Sequence, residues 1–270
     1  MKKNIIKIIQ ALIIPTVLFL GCSLKSEINE KPYKYVQTEE LPITVRDFVS
    51  YSSTIAAHAN VELEGVINHH GHPDFGNSSR NYTVEGLVLQ ELGKDKKPVY
   101  NERLKNDAVT SKETFDDWFN TKAGINREYQ RTIAFSLQNN STGIYKWVFN
   151  NSCFFPIDGV RGLPDCDEAY HNSCFTVETV FYLQCKNGES INIYDESDDD
   201  LWLFINGKLA IDLGGCHSPK YKEISFLPED FEAQTGDYLE VRLFKAERCG
   251  DGSVMNLRVN QDIYVYRKSN

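Results

Sequence analysis

Leu201-Trp202-Leu203-Phe204-Ile205-Asn206-Gly207-Lys208-Leu209-Ala210-Ile211-Asp212-Leu213 is the stretch that decides the fold. Two apolar runs flank Asn206-Gly207, and Asn-Gly between such runs is a strong hairpin signal, because both turn positions must take a positive φ. Outward from this hairpin, strands are expected at Thr132–Leu137, Gly143–Phe149, Phe175–Gln184 and Ser190–Tyr194 on its N-terminal side. On its C-terminal side they are expected at Tyr221–Phe226, Tyr238–Lys245 and Asn256–Val265, with further turns at Asn187-Gly188 and Thr235-Gly236-Asp237. Aromatic and β-branched residues are plentiful and long helical periodicity is absent. Many short strands separated by turn residues predict an all-β sandwich or barrel. Before residue 131 the pattern is less regular. Leu41–Phe48 alternates as a strand does, His58–Ser79 is polar and turn-rich, and Thr83–Leu92 reads as a strand or short helix. A short helix is expected at Thr114–Asn120, capped by Thr114 with Asp116 and Asp117 in its first turn.

Residues 1–21 have the build of an export signal, with Lys2, Lys3 and Lys7 ahead of and within an apolar run from Ile5 to Leu20. Lys7, Gln10 and Pro15 interrupt that run, which is too short for a stable membrane span. It ends in Phe19-Leu20-Gly21-Cys22, which resembles the lipobox of bacterial lipoproteins, in which the cysteine is acylated and the signal removed. Cys22 is therefore the expected lipid anchor, and Ser23–Glu40, charged and poor in large aliphatics, the expected tether. The expected organisation is a signal over 1–21, anchor and tether over 22–40, and one domain over 41–270. The expected location is an outer membrane or cell surface.

Loss of the signal removes three lysines and leaves 26 basic against 38 acidic side chains, a formal charge of −12. Such a balance argues against nucleic acid and anionic lipid as partners, and suits cation binding or solubility. Six cysteines follow the anchor, at 153, 166, 174, 185, 216 and 249. An even number in an exported chain reads as disulfides, with connectivity open. Zinc is disfavoured because no closely spaced cysteine pair is present.

Asp195-Glu196-Ser197-Asp198-Asp199-Asp200 places five carboxylates in six residues at an expected strand-to-strand turn. Such a turn is either solvated or neutralised by a hard cation such as calcium. It is not an EF-hand, since Asp200 and Asn206 stand where that loop has Gly and Glu.

The stretch Asp198–Leu209, followed by Asp212-Leu213-Gly214-Gly215 and His217, resembles the fibro-slime domain, a family grouped with the PA14-type β-sandwiches. Further matches come in the family's order: Arg46-Asp47-Phe48, His72-Pro73-Asp74-Phe75, Lys97-Pro98-Val99-Tyr100 and Thr114–Phe119, then Phe154–Gly159, His171-Asn172, Phe175–Glu178 and Phe244–Arg248. They span roughly 43–262. The resemblance implies a PA14-like sandwich with an irregular N-terminal extension and short helices, on an exported, surface-associated protein of the kind known from cellulose-degrading bacteria and slime moulds. In sugar-binding PA14 relatives, two adjacent aspartates joined by a cis peptide hold calcium beside the sugar, and Asp198 and Asp199 occupy the matching positions. Cys216 and Cys249 stand where the family has other residues at two signature loops, which implies that they bond to each other.

On this basis the expected calcium ligands are Asp198, Asp199 and Asp200, and the expected ligand-contacting residues are Asp195, Asn206, His217, Glu247, Arg248 and Trp118. Glu247-Arg248 has a rival reading as a buried ion pair. Trp202 reads as core, and His70, His72 and Asp74 as a structural turn. No serine elbow, zinc-binding helix or other catalytic motif is present, so a non-enzymatic surface protein binding a polysaccharide or cell-surface glycan is expected. The first alternative is a structural envelope or extracellular-matrix protein that binds other proteins without a sugar site, and the second, ranked below it, is a glycan-active enzyme.

Overall fold

The computed structural model describes residues 33–51, 71–76, 82–138, 144–160, 171–248 and 252–268. Cys22, and with it the export-type segment, lies outside them, as do His58, His69, His70, Cys166 and Cys249.

Period-two alternation generates nearly every element. In chain order the strands are β1 (Tyr33–Gln37), β2 (Glu40–Phe48), β3 (Asn126–Ala134), β4 (Ser136–Leu137), β5 (Trp147–Asn151), β6 (Phe175–Gln184) and β7 (Ile191–Asp198). They continue with β8 (Leu201–Ile205), β9 (Lys208–Leu213), β10 (Lys220–Phe226), β11 (Tyr238–Glu247), β12 (Val254–Val259) and β13 (Ile263–Lys268). One sheet runs β1-β13-β6-β11-β8-β9, with β2 joined to β6 and β3 to β2; the other runs β10-β7-β12-β5-β4. Every strand pairing in both sheets is antiparallel. The all-β sandwich expected from the sequence is the fold observed.

The main core lies between the sheets, where Val177, Phe181, Ile193, Leu203, Val241 and Leu257 are fully buried. A second apolar cluster covers the opposite face of the larger sheet, joining Phe75, Leu87, Phe115 and Trp118 to Trp202, Phe204 and Phe244. The irregular region before residue 126 thus forms a third layer. It makes β8 buried on both faces, which is why that strand is continuously apolar rather than alternating. Trp202 is core, as expected, and its indole N–H donates to Asp212 Oδ1 at 3.0 Å. The predicted hairpin forms at Asn206-Gly207, with φ of 47° and 82°.

Several local expectations are corrected. Thr83–Leu92 is neither strand nor helix and makes only isolated bridges at Thr83, Val88 and Glu91. Gly86, at φ 79°, breaks the run, and its amide is held by Asp212 Oδ2 at 2.7 Å. The short helix α1 is Lys112–Phe115, capped by Ser111, with Thr114 as the reciprocal member of a capping box. Asn256–Val265 is two strands, because Asn260 turns aside to bond Ser190 O at 2.8 Å. The proposed tether is shorter than residues 23–40, since β1 pairs along its whole length with β13. His72 is buried with Nδ1 accepting from the Asp74 amide at 3.3 Å, the turn brace expected of it.

Candidate functional site

The acidic stretch is not a turn. β7 continues through Asp198, and its parity carries Ile191, Ile193, Asp195 and Ser197 into the space between the sheets. On β11 the same logic sends Lys245 and Glu247 inward along with Leu239, Val241 and Leu243. A polar cluster therefore closes one end of an otherwise apolar core.

Lys245 sits at its centre, fully buried. Its Nζ donates to Ser197 Oγ at 3.1 Å, to Glu247 Oε2 at 3.1 Å and to the Asp198 carbonyl. Among the described residues, Glu247 Oε1 and both oxygens of Asp195 have no hydrogen-bond partner. The Ser253 hydroxyl and the Glu196 amide lie near these carboxyls without completing bonds of good geometry. Burial pushes both carboxyls well above the usual carboxylate range, and the Lys245 ammonium only partly opposes it.

Asp198 and Asp199 are joined by a cis peptide bond. One Asp198 oxygen accepts from the Val254 amide. The Asp199 oxygens accept from the amides of His217 and Arg248, each at 3.0 Å. Burial raises Asp199 to about 6, with Arg248 pulling the other way. Asp200 faces the opposite side and is bound by Arg248 Nε at 2.6 Å and by the Gly215 amide. Arg248, also fully buried, donates to Ala108 O at 2.8 Å and lies over the Trp118 ring at 4.8 Å.

The expected site residues thus separate into groups. Asp195, Asp198, Asp199, Asp200, Glu247 and Arg248 do come together, and His217 joins them through its backbone amide. Asn206 does not. It lies beyond the far end of β8, about 16 Å along the strand, where its side chain bonds Phe231 O and the Glu240 amide. Trp118 is not an exposed stacking surface but is fully buried, with its N–H on Asp74 Oδ2 at 3.2 Å. Glu247 and Arg248 have zero exposure and brace the end of the sandwich through Lys245 and Asp200 rather than through each other.

Residues that the sequence reading missed lie on the outer face of the smaller sheet, beside Asp198. Tyr221 is 65% exposed and stacks on Tyr194 at 5.5 Å, while Arg258 lies over the other ring at 4.5 Å. Asn256 and Tyr194 both reach Glu196 Oε2, at 2.7 and 3.0 Å. Tyr221 pairs across the sheet with Glu196, two residues before Asp198. Its outward direction follows from the parity of β10, in which Ile224 and Phe226 point toward the core.

Among the described residues no three His, Cys, Asp or Glu side chains converge as a ready metal-ligand group. Asp200 does not fit as a ligand, because Arg248 and Gly215 occupy its carboxylate. Asp198 and Asp199 do fit a hard cation in chemistry. They are oxygen donors beside buried, unpartnered carboxyl oxygens, in a cluster of five carboxyls against two cationic side chains. Cys174 and Cys216 are each in a disulfide, whereas Cys153 and Cys185 are free, so the six cysteines are not all paired. The expected partner of Cys216, Cys249, lies outside the described residues.

No family model matches the chain. Its curated relatives include three proteins of Dictyostelium discoideum. Protein psiQ is 30% identical over 161 residues, covering 53% of this chain and 15% of psiQ. Protein psiD is 28% identical, covering 67% and 36%, and protein psiC 29% identical, covering 71% and 38%. The chain therefore spans well under half the length of these relatives. Among solved structures, an anti-sigma factor domain-containing protein aligns at a TM-score of 0.29 and 16% identity, over 44% of this chain and 40% of its own. That likeness is too loose to bear on fold or function.

Proposed function

We propose that the chain is a surface-anchored, non-enzymatic binding module of the fibro-slime kind, held by a lipid on Cys22, which grips a glycan at the Asp198–Asp199 end of its sandwich with calcium. The observation that carries this reading is the charge imbalance there. Among the described residues, Asp195, Asp198, Asp199, Asp200 and Glu247 are met by the buried cations Lys245 and Arg248 alone, and all seven side chains are buried. Buried negative charge of that size is costly unless it is protonated or met by a cation. Calcium, when bound, supplies a hard positive centre to which sugar hydroxyl oxygens are drawn. Asp198 and Asp199 would hold it, with Asp199 fixed in place by the amides of His217 and Arg248. Tyr221 offers an open ring face to a sugar ring, since its other face rests on Tyr194. The similarity to slime-mould proteins is of the kind that the family resemblance implies.

A glycan array probed with the intact protein, with calcium and with chelator, tests this. Binding should depend on calcium, vanish in Asp199→Asn and weaken about tenfold in Tyr221→Ala. If no glycan is bound under any condition, the reading is wrong and the envelope-protein alternative stands.

A further inference from the structure

Tyrosines gather at the opposite end of β11 from the acidic cluster. Tyr35 on β1 stacks on Tyr238 with centroids 3.8 Å apart and planes 8° apart, and meets Tyr266 on β13 at 4.9 Å. Tyr33 stacks on Tyr266 at 5.5 Å, and Tyr182 closes the group behind Tyr35 at 5.0 Å. Three of these rings remain open to solvent: Tyr33 at 55%, Tyr35 at 38% and Tyr266 at 50%. So much exposed aromatic surface in one patch calls for a partner.

Charge and chain length identify that partner. Lys268, opposite Tyr33, is exposed on the same face as the tyrosines, while Lys34 and Arg267 are exposed on the reverse face of the two paired strands, in a protein whose overall charge is strongly negative. Among the described residues, Glu240 acts on Tyr35 and Tyr182, and it is taken up by Arg242 at 2.9 Å and Lys96 at 3.2 Å. Only residues 23–32 separate Cys22 from Tyr33. Ten residues span at most about 36 Å even when fully extended, so β1 is the described strand that a lipid on Cys22 holds by the shortest reach.

We infer that the β1–β13 tyrosine patch rests on the lipid surface that carries the anchor. Tyrosine suits that interface, with its ring toward the acyl boundary and its hydroxyl among headgroups, and Lys268 beside the rings meets lipid phosphate. Because β11 runs from Tyr238 in the patch to Glu247 in the acidic cluster, about 30 Å of strand separates the two ends. Contact at the patch leaves the Asp198–Asp199 loops clear of the bilayer. The inference rests on the reading of Cys22 as the lipidated residue.

The test uses the full chain made in a bacterium that acylates lipoproteins, with the mass of the Cys22 peptide measured first. Tyr266→Trp and, as control, Tyr221→Trp are reconstituted in phosphatidylcholine–phosphatidylglycerol vesicles with and without brominated acyl chains. Trp118, Trp147 and Trp202 are buried and give a constant background. Bromolipid should quench Tyr266→Trp strongly and Tyr221→Trp hardly at all, and raised salt or neutralisation of Lys268 should reduce the quenching. Equal quenching of the two variants in acylated protein overturns the inference while sparing the anchor. An unmodified Cys22 overturns the anchor reading and the inference with it. A Tyr266→Trp signal that answers to soluble glycan and not to lipid assigns the patch to carbohydrate and equally overturns it.

Discussion

Arg248 Nε and Asp200 Oδ2 stand 2.6 Å apart with both side chains at zero exposure, and this pair fastens the end of β11 to the turn that leads into β8. Removing only the cation would leave Asp200 buried with a single backbone donor. Arg248→Met should therefore cost about 3–5 kcal/mol of unfolding free energy in urea, and adding Asp200→Asn should recover much of it. A loss below about 1 kcal/mol in the single variant would mean that the pair contributes little.

The acidic cluster predicts an inverted pH response. Asp199 is raised from its ordinary 3.8 to about 6 in the fold, so its contribution is complete below the unfolded value and is lost as pH rises through the folded one. Asp195 and Glu247 shift in the same direction. In chelator, the melting temperature should fall between pH 5 and pH 7.5, with Asp199 alone accounting for at most about 3 kcal/mol. Calcium should restore the loss at pH 7.5. A chelated protein equally stable across this range would refute the proposed burden of buried charge.

Asp195→Asn should stabilise the metal-free protein. Among the described residues both oxygens of Asp195 lack hydrogen-bond partners, with Lys245 acting on the carboxyl only through space, so a neutral side chain of the same shape removes a desolvation cost without breaking a hydrogen bond. A gain of about 1–2 kcal/mol at pH 8, shrinking toward pH 5, is expected by calorimetry.

Two glycines of positive φ should respond differently to alanine. Gly215, at φ 100°, would bring a Cβ within 2.3 Å of Tyr82 O and 2.7 Å of the Val84 amide, and its own amide serves Asp200. Gly207, at φ 82°, has nothing within 4 Å of the same atom. Gly215→Ala should cost more than about 3 kcal/mol and Gly207→Ala about 1, both read from denaturant midpoints. Equal costs would show that backbone conformation, not contact with the Tyr82–Val84 segment, sets the penalty.

The sandwich was legible because period two is visible wherever one strand face is wet. Phe175–Gln184 and Lys208–Leu213 begin and end where the sequence predicts, and Leu201–Ile205 does so as a continuous apolar run bounded by the Asn206-Gly207 turn. The reading failed where a polar residue obeys strand parity against its chemistry. Asp195 looks like a turn residue by composition, yet it lies on the inward face set by Ile191 and Ile193. Trp118 failed for the converse reason. Its neighbours are polar, but Phe115 and Phe119 share its side and carry it under β8. Asn206 was grouped with the acidic residues by closeness in sequence, whereas an intervening strand holds it far from them. Tyr221 could have been found by counting outward from Phe226, but only with the inward register known.

β1 is the first described strand of the chain and joins the sandwich through a single neighbour, β13, with Tyr33 opposite Lys268 and Gln37 opposite Tyr264. A pull from the N-terminal side reaches Tyr33 first, and in an antiparallel ladder it opens the pairs one after another rather than shearing them together. Five residues would peel away at low force before β2, which is clasped between β3 and β6, felt any tension. Under a pull from the proposed lipid on Cys22 the strand would serve as a short mechanical fuse, lengthening the proposed tether while the rest of the sandwich stays folded.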